Sequence, residues 1–149
     1  MHGGTLNGCV IIENQTHMHG SGAAYATLND CVIIGNTARH SAVFLCTLYN
    51  CTITGNTGGG VSYSTLYNCT ITGNTGGNGG GASNSTLYNC TITSNTATSG
   101  GGGAAYCTLT DCTITGNYAH WGGGGVYNST LTNCVLSENV AEAWYNTNR

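Results

Sequence analysis

The stretch TLYNCTITGNTGG occurs twice without change, at Thr47–Gly59 and Thr65–Gly77, and a third copy, TLYNCTITSNTA, occupies Thr86–Ala97. A cysteine stands near the middle of each copy. Aligning the whole chain on this residue extends the repeat to seven copies, whose cysteines are Cys9, Cys31, Cys51, Cys69, Cys90, Cys112 and Cys134. Their spacings are 22, 20, 18, 21, 22 and 22 residues. A fixed period of this length indicates a stacked repeat architecture.

The same frame surrounds every cysteine. Thr stands four residues before it and Leu three before it in all seven copies, Leu being Leu6, Leu28, Leu48, Leu66, Leu87, Leu109 and Leu131. Two residues after it stand Ile11, Ile33, Ile53, Ile71, Ile92, Ile114 and then Leu136. Five residues after it stand Asn14, Asn36, Asn56, Asn74, Asn95, Asn117 and Asn139.

Each copy has the pattern of short strands joined by bends. Cys and Ile alternate with outward residues at period two, which predicts a strand with one buried face. Leu lies an odd number of residues before Cys, so we expect a bend at the Tyr-Asn or Asn-Asp pair between them. A tight turn is expected where Asn follows Gly, as at Gly35, Gly55, Gly73 and Gly116, with the Asn in the left-handed region.

The segments that follow absorb the length variation, and they read as loops that lead into a short strand such as Val61–Tyr63 or Ala104–Tyr106. Strand, bend, strand, turn, loop and strand in about 21 residues make one coil of an all-β solenoid. Helical repeats run to about 33–47 residues, and leucine-rich repeats carry several leucines per copy.

The pattern Gly-Gly-Gly-x-x-Tyr, followed by Thr-Leu-x-Asn-Cys-Thr-Ile-x-Gly-Asn-Thr, resembles the right-handed parallel β-helix repeats of secreted and surface bacterial proteins. Polymorphic outer-membrane proteins and pectate-lyase-like solenoids are similar. The resemblance covers nearly the whole chain and implies one solenoid domain over residues 1–149 with seven coils. Equivalent residues of successive coils would then stack into columns, here called files, and the Cys, Ile/Leu and Asn files would face inward. It implies little about function, because such repeats serve adhesins, stalks and polysaccharide enzymes alike.

Composition narrows the function. Charged residues make up 5% of the chain, there is no lysine, and Arg39 and Arg149 are the only arginines. With a net charge of −3, the chain lacks the electrostatic term that drives nucleic-acid binding. No apolar run approaches the roughly 20 residues that span a bilayer. So few charges leave little to keep neighbouring molecules apart, which favours a protein that associates.

The cysteine file admits three interpretations. Cys can act as a small buried filler in a thin core, form disulfides between coils, or bind metal. Stacked thiols do not converge on a tetrahedron and an odd file cannot pair completely, so we favour the filler. Cys46 and Cys107 lie outside the file at a position otherwise held by Gly, Ala or Ser. Small-residue packing is expected there, with cross-linking between chains as the alternative.

Other files have expected roles. The seven asparagines are predicted to satisfy backbone groups on neighbouring coils. Tyr49, Tyr67 and Tyr88 share one outward position on three successive coils, where they could stabilise the sheet or contact a sugar or a neighbouring fibre. The Thr-Ile-Thr copies place threonines in two outward files, which resemble the ice-binding face of β-solenoid antifreeze proteins; solvated strand threonines are the alternative.

Catalysis is not expected. Enzymes of this architecture cluster acids on adjacent coils, either to hold Ca²⁺ or to act as general acid and base. Here Asp30 and Asp111 share a position but lie four coils apart, and the histidines fall mainly in loops, with His17-x-His19 as the one pair that could touch a metal. We therefore expect no enzyme activity and no cofactor.

The two ends of the repeat suggest an assembly. Neither a helix-like nor a charged cap flanks the coils, so the chain is either a piece of a longer solenoid or it stacks end to end. We expect an extracellular or cell-surface structural protein that is its own partner in a head-to-tail filament. The alternative is a carbohydrate-binding, adhesive segment of a larger surface protein. Glu13 and Glu138 would meet at the junction and are the candidate metal ligands there.

Overall fold

A computed structural model of the protein describes residues 1–142. Four parallel sheets run the length of the molecule, and each coil contributes one strand to almost every sheet. We number the coils 1–7 by their ladder cysteines, Cys9 to Cys134, and the sheets 1–4 in the order in which a coil visits them. The predicted all-β, seven-coil parallel solenoid is confirmed.

Sheets 1 and 2 carry the repeat motif. The strands of sheet 1 are Thr5–Asn7, Thr27–Asn29, Thr47–Tyr49, Thr65–Tyr67, Thr86–Tyr88, Thr108–Thr110 and Thr130–Thr132. The strands of sheet 2 are Val10–Ile12, Val32–Ile34, Thr52–Thr54, Thr70–Thr72, Thr91–Thr93, Thr113–Thr115 and Val135–Ser137. Every strand pairs in register with its counterpart on the next coil, so that Leu faces Leu and Ile faces Ile or Leu.

Sheets 3 and 4 are built from two-residue strands. The strands of sheet 3 are Thr57–Gly58, Thr75–Gly76, Thr96–Ala97, Tyr118–Ala119 and Val140–Ala141. The strands of sheet 4 are Ala23–Ala24, Val43–Phe44, Val61–Ser62, Ala82–Ser83, Ala104–Ala105 and Val126–Tyr127. The predicted strands after the loops therefore end one residue early, because Tyr63 and Tyr106 adopt positive φ and begin the next corner.

Three corners of each coil share one construction. A residue with φ near +50° to +60° turns the chain, and the next residue points into the core. Between sheets 1 and 2 the turning residue precedes the ladder cysteine, as at Asp30, Asn50 and Asn68, which confirms the predicted bend. Between sheets 2 and 3 the turning residue is Glu13, Gly35, Gly55, Gly73, Ser94, Gly116 or Glu138.

The expectation that the repeat Asn itself adopts the left-handed conformation is wrong. The residue before it takes positive φ, and the Asn side chain faces inward, where Asn36, Asn74 and Asn95 are fully buried. The reason is that the turning residue directs its side chain towards solvent, so the residue that must bond inside the coil has to follow it.

A thin core fills the coil. It consists of the Leu file, the Ile file, the cysteines and the inward Ala or Val residues of sheet 4, and from coil 2 to coil 6 its Leu and Ile side chains are completely buried. Burying each such side chain contributes about 1.5–3 kcal/mol. Each coil is covered only by the coils directly before and after it. The core is therefore uncovered at the outer faces of coils 1 and 7.

Candidate functional site

The asparagine file is a directional hydrogen-bond ladder. The Oδ1 of Asn74 accepts both the backbone N–H and the Nδ2 of Asn56, at 3.0 and 2.8 Å. The Nδ2 of Asn74 in turn donates to Ile53 O on the preceding coil at 2.9 Å and to Asn95 Oδ1 on the next at 3.0 Å. Each Asn of the ladder therefore donates its backbone N–H to the Asn of the next coil and accepts with its Oδ1 from the Asn of the preceding coil.

The ladder leaves unlike groups at the two ends of the described chain. Asn14 donates its N–H and Nδ2 to Asn36 Oδ1, both at 2.9 Å, but no residue among 1–142 donates to its own Oδ1. Asn139 accepts from Asn117 at 3.0 Å, and its backbone N–H finds no acceptor within the same residues. Coil 1 thus presents an acceptor and coil 7 presents donors.

The cysteines repeat this polarity. The N–H of Cys9 donates to Cys31 Sγ at 3.5 Å, that of Cys31 to Cys51 Sγ at 3.4 Å, and that of Cys51 to Cys69 Sγ at 3.4 Å. All nine cysteines are free thiols, so the disulfide alternative is not what the structure shows. The filler interpretation holds, and each thiol also accepts or donates a weak hydrogen bond.

Cys46 and Cys107 belong to a third such file at the corner between sheets 4 and 1. The N–H of Ala26 donates to Cys46 Sγ at 3.4 Å, and the N–H of Cys46 donates to Ser64 Oγ at 3.1 Å. Burial raises the pKa of the Cys46 thiol, and it raises that of Cys107 to about 11. Both thiols therefore stay protonated and unreactive at neutral pH, in agreement with the expected packing role.

Apolar side chains of the core emerge at the two end faces. On coil 1, Leu6 and Cys9 are only half-buried, and together with Met1 and Ile11 they line a shallow recess of about 430 Å³. On coil 7, Leu131 and Cys134 are half-buried and Leu136 is 46% exposed. The equivalent side chains in coils 2–6 are covered by a neighbouring coil.

Glu13 and Glu138 occupy the same turning position of sheet 2 on the first and last coils, as the alignment predicts. Within one molecule they lie at opposite ends. Among residues 1–142, no group of three or more His, Cys, Asp or Glu side chains is placed to hold a metal ion. Residues 143–149, through which the predicted junction passes, lie outside the described part of the chain, as does Arg149.

The outer faces carry two regular arrays. The rings of Tyr49, Tyr67 and Tyr88 stack on sheet 1 with centroids 5.0 and 5.1 Å apart and planes within 9° of parallel. On sheet 2 the threonines of the Thr-Ile-Thr copies pair in register on four coils, from Thr52–Thr54 to Thr113–Thr115. Both arrays lie where the repeat places them.

The acids do not converge. Asp30 accepts a hydrogen bond from Asn50 Nδ2 at 3.1 Å, and Asp111 accepts one from Asn133, so each lies in an exposed row of amides. The carboxylate of Glu142 accepts a hydrogen bond from the hydroxyl of Tyr118, and its Oε2 lies 3.0 Å from Nδ1 of His120. The phenol bond, followed by that of the imidazole, holds the pKa of the Glu142 carboxyl below its usual range. The ring of His19 stacks on that of His40, with centroids 4.3 Å apart.

One site escaped the sequence analysis. A groove on the outer side of sheet 4 is lined by His19, Arg39, His40, Tyr63 and Tyr106 among others. Its lining comes from five coils. Tyr63 and Tyr106 share the repeat position that ends the Gly-Gly-Gly-x-x-Tyr pattern, but His19, Arg39 and His40 lie in variable loops that no motif marks. The available signal was the shortest cysteine spacing, 18 residues, with the run Gly58–Gly60 where other coils carry longer loops.

Seven in-register coils with continuous polar ladders define a parallel β-solenoid repeat protein. A family model described as "Right handed beta helix region" matches residues 40–148, and the chain belongs to this family. No helix within residues 1–142 has the length and hydrophobicity to cross a membrane.

Other comparisons add little. A comparison with curated proteins finds no match to this sequence. Among solved structures, the chain is similar to a candidate glycosyl hydrolase from Parabacteroides merdae at 8% identity, with 85% of this chain and 78% of that one covered. The TM-score of 0.27 is too low for this similarity to support an argument about function.

Proposed function

We propose that this protein is a non-catalytic structural protein of the cell surface or exterior that stacks head-to-tail into polar filaments. The observation that carries the proposal is the direction of the asparagine ladder, which leaves an acceptor on coil 1 at Asn14 and donors on coil 7 at Asn139. A second copy laid on coil 7 in the same sense supplies the missing acceptor. Two copies meeting by equal faces would instead oppose donor to donor or acceptor to acceptor.

The apolar residues of the end coils also support a second copy of the chain as the partner. Coil 1 and coil 7 carry the same residue types at the inward positions, with Leu6 matching Leu131 and Cys9 matching Cys134. Stacking in register therefore continues every file of the core across the junction and covers Leu136, which is 46% exposed in the single chain. A contact between unlike faces that does not close into a ring propagates as a fibre.

The side-chain inventory supports a role without catalysis. General acid–base chemistry on this architecture requires carboxylates held near one another on adjacent coils. In residues 1–142 the carboxylates of Asp30 and Asp111 are separated by four coils and bonded to amides. We accordingly assign the regular ladders to assembly.

Two blocked variants test the proposed junction. Leu136→Asp places a charge on the face of coil 7, and Leu6→Asp places one on the face of coil 1. Burying an unpaired carboxylate costs several kcal/mol, so each variant alone should sediment as a monomer where the wild type assembles. Mixed together, they should form dimers and nothing longer, since each retains one intact face.

The matched controls are Val135→Asp and Val10→Asp. These side chains lie on the two terminal strands of sheet 2 but point sideways into solvent, being 61% and 65% exposed, and both variants should assemble as the wild type does. Circular dichroism checks that all four variants fold. Assembly that survives both face substitutions, or a mixture that stays monomeric, would contradict the head-to-tail junction.

The second candidate is a carbohydrate-binding, adhesive role, favoured by the flat tyrosine stack of Tyr49, Tyr67 and Tyr88. Aromatic faces of this kind provide area for the apolar face of a sugar ring. Glycan-array binding that disappears in Tyr67→Ala, but not in Tyr25→Ala, would support this role. The absence of any bound glycan would contradict it and leave the filament proposal unaffected.

A further inference from the structure

The groove over sheet 4 lies beside coil 3, which is the shortest coil. Between Thr57 and Val61 the chain has only the three residues Gly58–Gly60, whereas the loops before and after it are longer. Residues of those longer loops, including Arg39, His40, Gly77 and Asn78, line the groove. The resulting groove holds about 370 Å³, which falls within the range of small-molecule sites.

The groove has a polar floor and aromatic walls. Ser62 and Ser83, which are neighbours in sheet 4, form the floor. Tyr63 and Tyr106 stand at the corner between sheets 4 and 1, and each is about half exposed. The amides of Asn78 and Asn84 complete the lining with groups that can donate or accept hydrogen bonds.

The groove gathers positive charge in an acidic protein. Arg39 lines it and is the only Arg or Lys side chain within residues 1–142. None of the lining residues is Asp or Glu, and no carboxylate in the described part of the chain pairs with Arg39. The planar guanidinium therefore offers its donors to a ligand, and this group suits oxyanions.

Two histidines line the groove beside Arg39. The rings of His19 and His40 stack with centroids 4.3 Å apart, and Phe44 packs on His19 at the same distance. Burial, and then the neighbouring His40, lower the pKa of His19, whose Nδ1 is buried and has no hydrogen-bond partner in residues 1–142. A bound anion would offset the repulsion between the two rings and favour their protonated forms. The other ionisable side chains of the groove are Arg39, Tyr63 and Tyr106.

We propose that this groove binds a sulfate or phosphate group carried on a small organic ring, with Arg39, His19 and His40 directed to the oxyanion and Tyr63 and Tyr106 beside the ring. A guanidinium and two imidazoles line the groove, and all three groups can donate hydrogen bonds to a tetrahedral oxyanion. The tyrosines provide an apolar contact for the ring that bears it. The groove lies on the side of the solenoid, so it stays open whether or not copies stack, and it goes beyond the assembly role.

Calorimetric titration of the full chain with phenyl sulfate, phenyl phosphate, inorganic sulfate and benzoate tests the assignment at pH 5.5 and 7.5. Phenyl sulfate keeps its charge over this range, so tighter binding at pH 5.5 reports protonation of the histidines. We expect phenyl sulfate or phenyl phosphate to bind more tightly than inorganic sulfate and benzoate. The stronger of the two esters identifies the oxyanion.

Arg39→Gln should weaken binding at least tenfold, which corresponds to about 1.4 kcal/mol. His19→Gln should remove the pH dependence, while His17→Gln, two residues away and outside the groove, should change neither property. Circular dichroism confirms that each variant is folded. Undetectable binding of both esters at both pH values, full affinity in Arg39→Gln, or tighter binding of benzoate would overturn the proposal.

Discussion

Single corner residues determine the path of this chain. Each corner pairs a left-handed residue that faces solvent with an inward residue whose side chain bonds the next coil, as Gly73 and Asn74 do. The left-handed region is tolerated best by Gly, Asn and Asp, which explains why these residues dominate two of the corners. A thiol, hydroxyl or amide group of the next coil then accepts a hydrogen bond from the backbone N–H that the turn would leave unpaired.

Asn74 is the most informative position in the ladder. In Asn74→Ala the N–H of Asn56 and the carbonyl of Ile53 lose their partners in a buried site, which should cost roughly 2–5 kcal/mol of the free energy of unfolding. Chemical denaturation measures this. The control Asn7→Ala removes an exposed amide and should change stability by less than about 0.5 kcal/mol. Equal losses in the two variants would show that the ladder does not stabilise the coil.

The buried thiol of Cys107 should make the folded protein less stable as the pH rises above 9. Its pKa rises from an ordinary 9.0 to about 11 in the folded protein, so between these values the native state holds a proton that the unfolded chain has released. The free energy of unfolding therefore falls as pH rises from 9 to 11. Cys107→Ser, which installs the residue of Ser64 and Ser85, should make this decline shallower by about 1.4 kcal/mol per pH unit. An unchanged slope would contradict burial of the thiol as its cause.

Among the elements, sheet 4 depends on how closely adjacent coils approach. Gly60, Gly81 and Gly103 each lie just before its strands, and each abuts the carbonyl of the corresponding glycine on the next coil. A Cβ on Gly81 would come within 2.6 Å of Gly103 O and 3.0 Å of Asn95 Nδ2. These glycines are therefore needed for the close approach of adjacent coils, because any larger side chain would clash with the next coil.

Gly81→Ala should therefore destabilise the fold by about 1–3 kcal/mol, since neither the backbone nor the ladder amide can withdraw freely. Gly77→Ala is the matched control, because a Cβ there meets nothing within 4 Å and the residue does not have positive φ. It should be neutral or stabilising by up to about 1 kcal/mol. Thermal and denaturant unfolding of the two variants make the comparison, and equal stability would refute the close approach.

Much of this architecture could be predicted from the sequence, because identical residues recur at identical positions and stacking in register converts each into a file. The Leu, Ile, Cys and Asn files were predicted in this way. The two-residue strands of sheet 3, such as Thr57–Gly58, were not, because two residues carry no periodicity. The groove around Arg39 was also missed, since it depends on differences between loops and the repeat describes only what the coils share.

For the molecule as a whole, the directional ladder leaves unlike hydrogen-bonding groups at the two ends. Coil 1 has a free acceptor at Asn14 and coil 7 has a free donor at Asn139 within residues 1–142. The filament we propose is therefore polar, with every subunit in the same orientation.

The proposed junction also predicts a response to pH and calcium. Stacking would bring Glu13 of one copy next to Glu138 of another at about 4.8 Å, the spacing of adjacent strands. Acid or Ca²⁺ should relieve this repulsion and lower the concentration needed for assembly, as measured by sedimentation at pH 4.5 and 7.5 with calcium or chelator. Glu138→Gly, which copies the interior coils, should assemble well in all four conditions. A response that persists in this variant would place the responsible groups elsewhere.

Electron microscopy of the purified chain at high concentration tests the head-to-tail account most directly. Seven coils at the strand spacing give a subunit rise of about 34 Å, so we predict unbranched, polar filaments with that axial repeat and a continuous strand spacing across the junctions. A field of uniform single particles at high concentration, or filaments whose neighbouring subunits point in opposite directions, would contradict it.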